Sequence, residues 1–483
     1  MRNLVFIFLF ISLTLAAQEK AGVDKINAIL AEYNGDPQLK PAIVSFCVLN
    51  AKTGDQLIEN NSKLAMTPAS TLKIITTSAA LGMVGAGYRY ETKLMVDGIF
   101  DSVTGLLTGN LVIKGSGDPT LNSEYFKKKD DATDLVDEWA AALKAKGVKK
   151  ITGKIVADNT CFDNNVPGNW IWSDMGNYFG APPNGLSYND NKIKLYFKTG
   201  TKSGDSTQLV KQIPEVPGLV FINKITTGGK DDNAYVYGAP KQNERLMTGT
   251  LPPNKSAYEV EIAMPDPAWY CAYALDKALG KAGIETFNRT EVASNPLKQE
   301  MQLLYTHKSP VLSSIVYQTN LHSNNLFAET LLKTIALKKN GYGSLYAAID
   351  MVLNYWKGRG VDVEGFYMSD GSGLSRSNGI STFQQATILS KIYRDPNMYK
   401  TFNSSLPVAG KTGSLASLCK GSFAENNMRA KSGYITRARG YAGYVKTKAG
   451  TELAFSVLFN NYNCSPTEAK LKIEKFLEAL VEL

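Results

Sequence analysis

From Ile43 to Leu49 the chain reads Ile-Val-Ser-Phe-Cys-Val-Leu, nearly every position apolar, with a polar Ser45 breaking the run. Such a run, followed by turn residues from Asn50 to Asp55 and a return at Gln56-Leu57-Ile58, predicts a β-hairpin. Behind it lies an apolar and small stretch from Ile74 to Leu81, preceded by Pro68 and the pair Ser70-Thr71, which predicts a helix start. From about Tyr88 the pattern shortens into strand-like runs broken by Gly, Asp, Asn and Thr, at Thr92–Val96, Gly109–Lys114, Lys192–Phe197, Leu219–Asn223 and Ala234–Tyr237. One helical pattern interrupts them, near Asp131–Lys146. Tyr258–Met264 then reads as a strand. Helical spacing follows at Pro267–Ala282, Val311–Thr319, Leu326–Lys338 and Ser344–Lys357. The chain closes with a three-strand meander, Arg429–Ile435, Gly440–Lys446 and Glu452–Asn460, and a helix over Pro466–Leu483.

This order predicts an α+β main domain, an antiparallel sheet with helices, split in sequence over residues 18–87 and 257–483. One or two inserted β-rich domains occupy residues 88–256. Residues 1–17 are a separate matter. Met1-Arg2-Asn3, an apolar stretch from Leu4 to Leu15 and the small residues Ala16-Ala17 describe a secretory signal peptide, too short to span a bilayer comfortably. The mature chain is thus expected to be exported, with membrane association at most peripheral.

Composition narrows the chemistry. There are two histidines, His307 and His322, so a Ser-His-Asp site has few candidates and a multi-histidine metal site is not expected. Five cysteines (Cys47, Cys161, Cys271, Cys419, Cys464) lack the close spacing of zinc ligands. The net charge of +9 comes from 53 Lys+Arg against 44 Asp+Glu, interspersed rather than gathered in a patch, which argues against a nucleic-acid partner. No cofactor motif is evident.

Nucleophilic chemistry must therefore come from elsewhere. Thr67-Pro68-Ala69-Ser70-Thr71-Leu72-Lys73 puts a lysine three residues after a serine at a helix start, which brings an amine beside a hydroxyl. Alone the pattern is weak: a capping serine with a solvated lysine fits it as well, and Ser417-Leu418-Cys419-Lys420 repeats it. A Ser-Lys acyl-transfer site also needs a proton relay, and a cation with a hydroxyl to hold a carboxylate on a strand that supplies an oxyanion-hole N–H. Ser-x-Asn occurs at Ser323-Asn324-Asn325, between two helical segments, and at Ser187-Tyr188-Asn189, inside the insertion; the first fits the main domain. Lys-Ser/Thr-Gly occurs five times, at Lys52, Lys198, Lys202, Lys411 and Lys431. Lys431-Ser432-Gly433 opens the terminal meander, whereas Lys411-Thr412-Gly413 has no strand behind it, so context selects Lys431.

With these parts in order, the chain resembles the penicillin-binding proteins of the D-alanyl-D-alanine carboxypeptidase/endopeptidase type, the family of penicillin-binding protein 4. The likeness extends to Lys114-Gly115-Ser116-Gly117-Asp118-Pro119-Thr120-Leu121, Ala157-Asp158-Asn159-Thr160-Cys161-Phe162-Asp163, Asp370 to Arg376, and Ser405-Leu406-Pro407-Val408-Ala409-Gly410. The resemblance implies a penicillin-recognising, β-lactamase-like main domain and a periplasmic location. It implies that Ser70 forms an acyl-enzyme, with Lys73 as its base, and that Ser323, Asn325 and Lys431 move the proton and hold the peptide. Ser432 and Gly433 belong to the same binding strand, and the N–H groups of Ser70 and Tyr434 to the oxyanion hole. By the same resemblance Asp174, Phe179 and Arg376 line a pocket for the side chain of the peptidoglycan stem peptide, although Thr436 stands where some members carry glutamine. The implied partners are stem peptides, their cross-links and β-lactam antibiotics. Two other readings share the machinery: a serine β-lactamase, and a catalytically silent peptidoglycan-binding or sensor protein.

Overall fold

The computed structural model describes residues 21–127, 133–163, 165–297 and 300–483. The segment read as a signal peptide lies outside them. The chain divides into two compact units. One contains the chain up to Ala86, Val316–Asn324 and Ile349–Leu483. The other contains Gly87–Ile315 and Asn325–Ala348.

The first unit is built on a five-stranded sheet in the order Met428–Ile435, Ala438–Lys446, Glu452–Asn460, Ile43–Asn50, Gln56–Asn60. Every pairing is antiparallel. Ile43–Asn50 is central and covered on both faces, which explains its nearly unbroken apolar run. Alternate side chains go to opposite faces. Phe46 and Val48 join a core with Ile26, Ile29, Phe476, Leu477 and Leu480, while Cys47 and Leu49 pack with Ala386 and Phe383. The C-terminal helix Pro466–Ala479 therefore buries its apolar stripe in the protein, capped by Ser465 with Glu468 in a reciprocal capping box.

The second unit is organised around a six-stranded sheet formed by Glu91–Asp101, Leu106–Lys114, Lys150–Ile151, Ile155–Asp158, Thr290–Val292 and Gln302–Lys308. Helices Leu135–Ala145 and Pro267–Lys281 supply Trp139, Leu143, Cys271 and Leu275 to its main core. Two three-stranded sheets share a smaller core around Ile193, Phe197, Val236 and Ile262.

The sequence reading returned the chain to the main domain at residue 257. Pairing decides otherwise for the segment that follows: Tyr258–Ala263 lies antiparallel to Lys192–Lys198, and Pro267–Lys281 packs with Trp139. Among the described residues, helices over residues 21–35, at Thr382–Tyr393 and at Pro396–Ser405, and the short one at Trp172–Met175, are not anticipated by the sequence pattern. No cysteine is paired, and four of the five are buried.

Candidate active site

Ser70 does not open the α-helix directly. It sits in a 3-10 turn, Ala69–Leu72, and the α-helix begins at Lys73 and runs to Met83. Ala69 has φ +47°, a left-handed value that a non-glycine residue adopts only when its surroundings enforce it. The enforcement is visible. Asn460 clasps Thr67 from both sides, its Oδ1 accepting from Thr67 N at 2.9 Å and its Nδ2 donating to Thr67 O at 3.2 Å. Beneath the turn, buried Gln385 donates to Thr71 Oγ1 at 2.9 Å and accepts from Ser456 Oγ at 2.7 Å. The nucleophile candidate thus rests on a fixed polar bed.

Lys73 is fully buried, and its Nζ donates to Ser70 Oγ at 2.9 Å and to the Ser372 carbonyl at 2.7 Å. That carbonyl is held by the loop Asp370–Asn378, which is wound around the Asp370 carboxylate. Gly373 N and Asn378 Nδ2 donate to its Oδ1 at 2.8 Å each, and Ser375 N to its Oδ2 at 2.6 Å. Thr76 Oγ1 ties the loop to the helix through Gly371 O at 2.7 Å. The sequence marks Asp370–Arg376 by its likeness to the family but not its task; an acid followed by glycines and serines, the makings of a loop wound on a carboxylate, is the available signal.

A second serine–lysine pair lies in the same unit. Ser323, at φ +56°, follows helix Leu312–His322, and Lys431 Nζ donates to its Oγ at 2.8 Å and to Ser432 O at 2.8 Å. Lys431 is fully buried, and burial, with the Lys73 charge added, holds its amine well below the ordinary lysine range. Lys411 is elsewhere, its exposed ammonium paired with Glu425 at 2.9 Å. Ser432 Oγ meets Ser414 Oγ at 2.7 Å, a contact the sequence did not suggest.

The strand Met428–Ile435 runs hard against the Ser70 turn. A Cβ on Gly433 would stand 2.5 Å from Pro68 O and 3.1 Å from Ser70 N, so only glycine fits. Tyr434, the next residue, is half exposed. Ser70, Lys73, Ser323, Lys431, Ser432, Gly433 and Tyr434 therefore belong to one unit, and exposed Arg376 to the same unit.

Asn325, Asp174 and Phe179 belong to the other. Asn325 opens helix Asn325–Asn340, and its Nδ2 donates to the Phe179 carbonyl at 2.8 Å. Asp174 is buried, 5% exposed, in the short helix Trp172–Met175. His322 is exposed, next to Ser323 in sequence, and His307 packs against the Trp139 ring. Among the described residues one cluster has metal-ligand spacing, Cys419 with Glu474 and Glu478. It is remote in role from both pairs, since Glu474 accepts from the Cys419 backbone N–H.

The arrangement can be compared with known proteins. Residues 26–481 match the family model described as the D-Ala-D-Ala carboxypeptidase 3 (S13) family. A D-alanyl-D-alanine carboxypeptidase of Actinomadura sp. (strain R39) is 29% identical over 458 residues, 91% of this chain and 81% of that protein. The D-alanyl-D-alanine carboxypeptidase DacB of Haemophilus influenzae is 25% identical over 445 residues, 89% of this chain and 88% of that protein. In fold, the crystal structure of penicillin-binding protein 4 from H. influenzae superposes with a TM-score of 0.80 at 24% identity, covering 93% of this chain and 98% of that one. A second structure of that protein, complexed with a β-lactam, gives a TM-score of 0.74 at 21% identity, covering 94% and 98%. The chain belongs to the D-Ala-D-Ala carboxypeptidase 3 (S13) family, is a serine-type D-Ala-D-Ala carboxypeptidase, and shares the fold of penicillin-binding protein 4.

Proposed function

We propose that Ser70 attacks the carbonyl between two D-residues of a peptidoglycan stem peptide and forms an acyl-enzyme that water then cleaves. The observation that carries this reading is the pair of serine–lysine contacts, 2.9 Å for Lys73–Ser70 and 2.8 Å for Lys431–Ser323, with Lys431 held well below the ordinary lysine range by burial first and the Lys73 charge second. A Lys431 amine that gives up its proton this readily can exchange one with the Ser323 hydroxyl it touches. Lys73 takes the Ser70 proton. Ser323 passes a proton to the leaving amine, with Lys431 as its partner, and Asn325 holds the peptide. The Ser432 hydroxyl takes the terminal carboxylate, and the backbone N–H groups of Ser70 and Tyr434 hold the oxyanion.

The substrates are D-Ala-D-Ala termini and D-Ala–diaminopimelate cross-links, so the enzyme acts as a carboxypeptidase and an endopeptidase. β-Lactams acylate the same serine, in keeping with the β-lactam complex of the H. influenzae relative. Asp174, Phe179 and Arg376 receive the stem side chain, the acid meeting an ammonium and the arginine a carboxylate. The chain works after export, in the periplasm, without a cofactor. Digestion of purified cross-linked muropeptides tests the reading: the wild type releases D-alanine and resolves dimers, and Ser70→Ala does neither. Equal digestion by Ser70→Ala would overturn the site.

A further inference from the structure

Lys333 has no part in the chemistry above, yet it is among the most thoroughly buried cations of the protein, 1% exposed in the middle of helix Asn325–Asn340. Its ammonium donates to Asp163 Oδ1 at 2.6 Å, to Asp163 O at 3.0 Å and to Asn165 O at 3.0 Å, which uses all three of its protons. The second carboxylate oxygen of Asp163 accepts from Leu345 N at 2.8 Å, and Asp163 N donates to Gly343 O at 3.2 Å. Phe162, the residue before, fills a slot that glycine leaves open, since a Cβ on Gly343 would fall 2.2 Å from its ring. A buried ion pair is weak evidence for stability, because desolvating two charges offsets most of their attraction. Its value is geometric. The three ammonium bonds tie Asp163 and the Asn165 carbonyl to helix Asn325–Asn340.

Eight residues earlier on the same helix, Asn325 donates to the Phe179 carbonyl at 2.8 Å. Helix Asn325–Asn340 thus grips the segment 163–179 at both ends. Between the grips the segment is held by its own turns, Asp174 N donating to Ile171 O at 2.9 Å and Asn177 Nδ2 to Ser173 O at 2.7 Å, and by Val236, whose N–H donates to Asn177 Oδ1 at 3.1 Å and whose carbonyl accepts from Asn177 Nδ2 at 3.3 Å. Asp174 lies inside this doubly anchored stretch.

We propose that Lys333 is a positioning residue for stem-peptide recognition, its clasp on Asp163 and Asn165 setting where Asp174 meets the substrate's side-chain ammonium. This rests on the reading of Asp174 as the acid of that pocket. It requires Lys333 to govern the choice among peptides and not the acylation of Ser70 by compounds that lack the side chain.

The test compares Nα-acetyl-L-lysyl-D-alanyl-D-alanine, which carries a free ε-ammonium, with its Nα,Nε-diacetyl counterpart, and measures benzylpenicillin acylation beside them. The variant is Lys333→Met/Asp163→Asn, which removes both charges and strands neither. It is expected to raise KM for the free-amine peptide about tenfold to a hundredfold, the scale of a misplaced contact, with kcat, the blocked peptide and penicillin acylation unchanged. Lys333→Arg, which keeps charge and donors, is expected to recover part of the preference. If the double variant lowers all three activities together, Lys333 is merely structural and the proposal fails. If Asp174→Asn abolishes the preference but the double variant does not, the clasp is wrong while the pocket stands. If Asp174→Asn leaves the preference intact, the pocket reading itself falls.

Discussion

A lysine is an unusual base because its ordinary amine is protonated at neutral pH, and Lys431 illustrates what changes that. Complete burial disfavours the charged form, and the nearby Lys73 charge adds to the effect. The unfolded chain therefore holds the Lys431 proton up to about 10.5, the ordinary value, while the folded chain releases it at lower pH. Between those two values the unfolded state binds more protons, so stability rises with pH across the window. Denaturant melts should show the wild type gaining on Lys431→Met as pH is raised from 7 toward 10. Arginine cannot give up its proton, so Lys431→Arg should cut acylation by about 10²-fold or more at every pH, read by stopped-flow with a chromogenic cephalosporin.

Asp118 carries the opposite sign. It is fully buried, its Oδ1 accepts from Thr120 N at 2.8 Å and Thr120 Oγ1 at 2.6 Å, and its Oδ2 has no partner among the described residues. Burial pushes the carboxyl from 3.8 up to about 6. Here the folded state binds the proton more tightly, so stability is lost as pH rises from 3.8 to about 6. Relative to Asp118→Asn, the wild type should lose about 2–3 kcal/mol across that window, measured by melts at pH 4 and 7.

Two close approaches shape the site among its elements. A Cβ on Gly373, at φ +80°, would stand 1.9 Å from Ala69 O, and one on Gly433 would stand 2.5 Å from Pro68 O. Both glycines let a loop and a strand press on the Ser70 turn. Gly433→Ala should lower acylation about a hundredfold by displacing that turn, with its melting temperature little changed in comparison. The C-terminal helix is a plain packing element, and Phe476→Ala should cost about 3–5 kcal/mol in a urea titration.

Elements with strong periodicity were legible. The hairpin from Ile43 and the terminal meander appear within about two residues of their expected places, and the capped helix starts at Pro466 as expected but ends as an α-helix at Ala479, its last turn being 3-10, because local pattern and burial agree there. Thr382–Tyr393 was missed because its buried face includes Thr382, Gln384, Gln385 and Ser390, polar residues that serve the network beneath Ser70 and blur the apolar stripe. The residue types of the two serine–lysine pairs could be read from three short motifs. The Ser372 carbonyl and the Lys333 clasp could not, since backbone acceptors and long-range ion pairs leave no mark on spacing.

At the scale of the whole molecule, the family match runs from residue 26 to 481, so the sequence likeness covers both compact units and not the serine–lysine unit alone. No described helix is long and apolar enough to cross a membrane. The central claim is narrower than the fold: Ser70 is the residue that becomes acylated. Intact mass, followed over time after mixing the protein with benzylpenicillin, tests it directly beside Ser70→Ala. The account predicts one persistent penicilloyl adduct on the wild type and none on the variant. An adduct on Ser70→Ala, or none on the wild type, would contradict it.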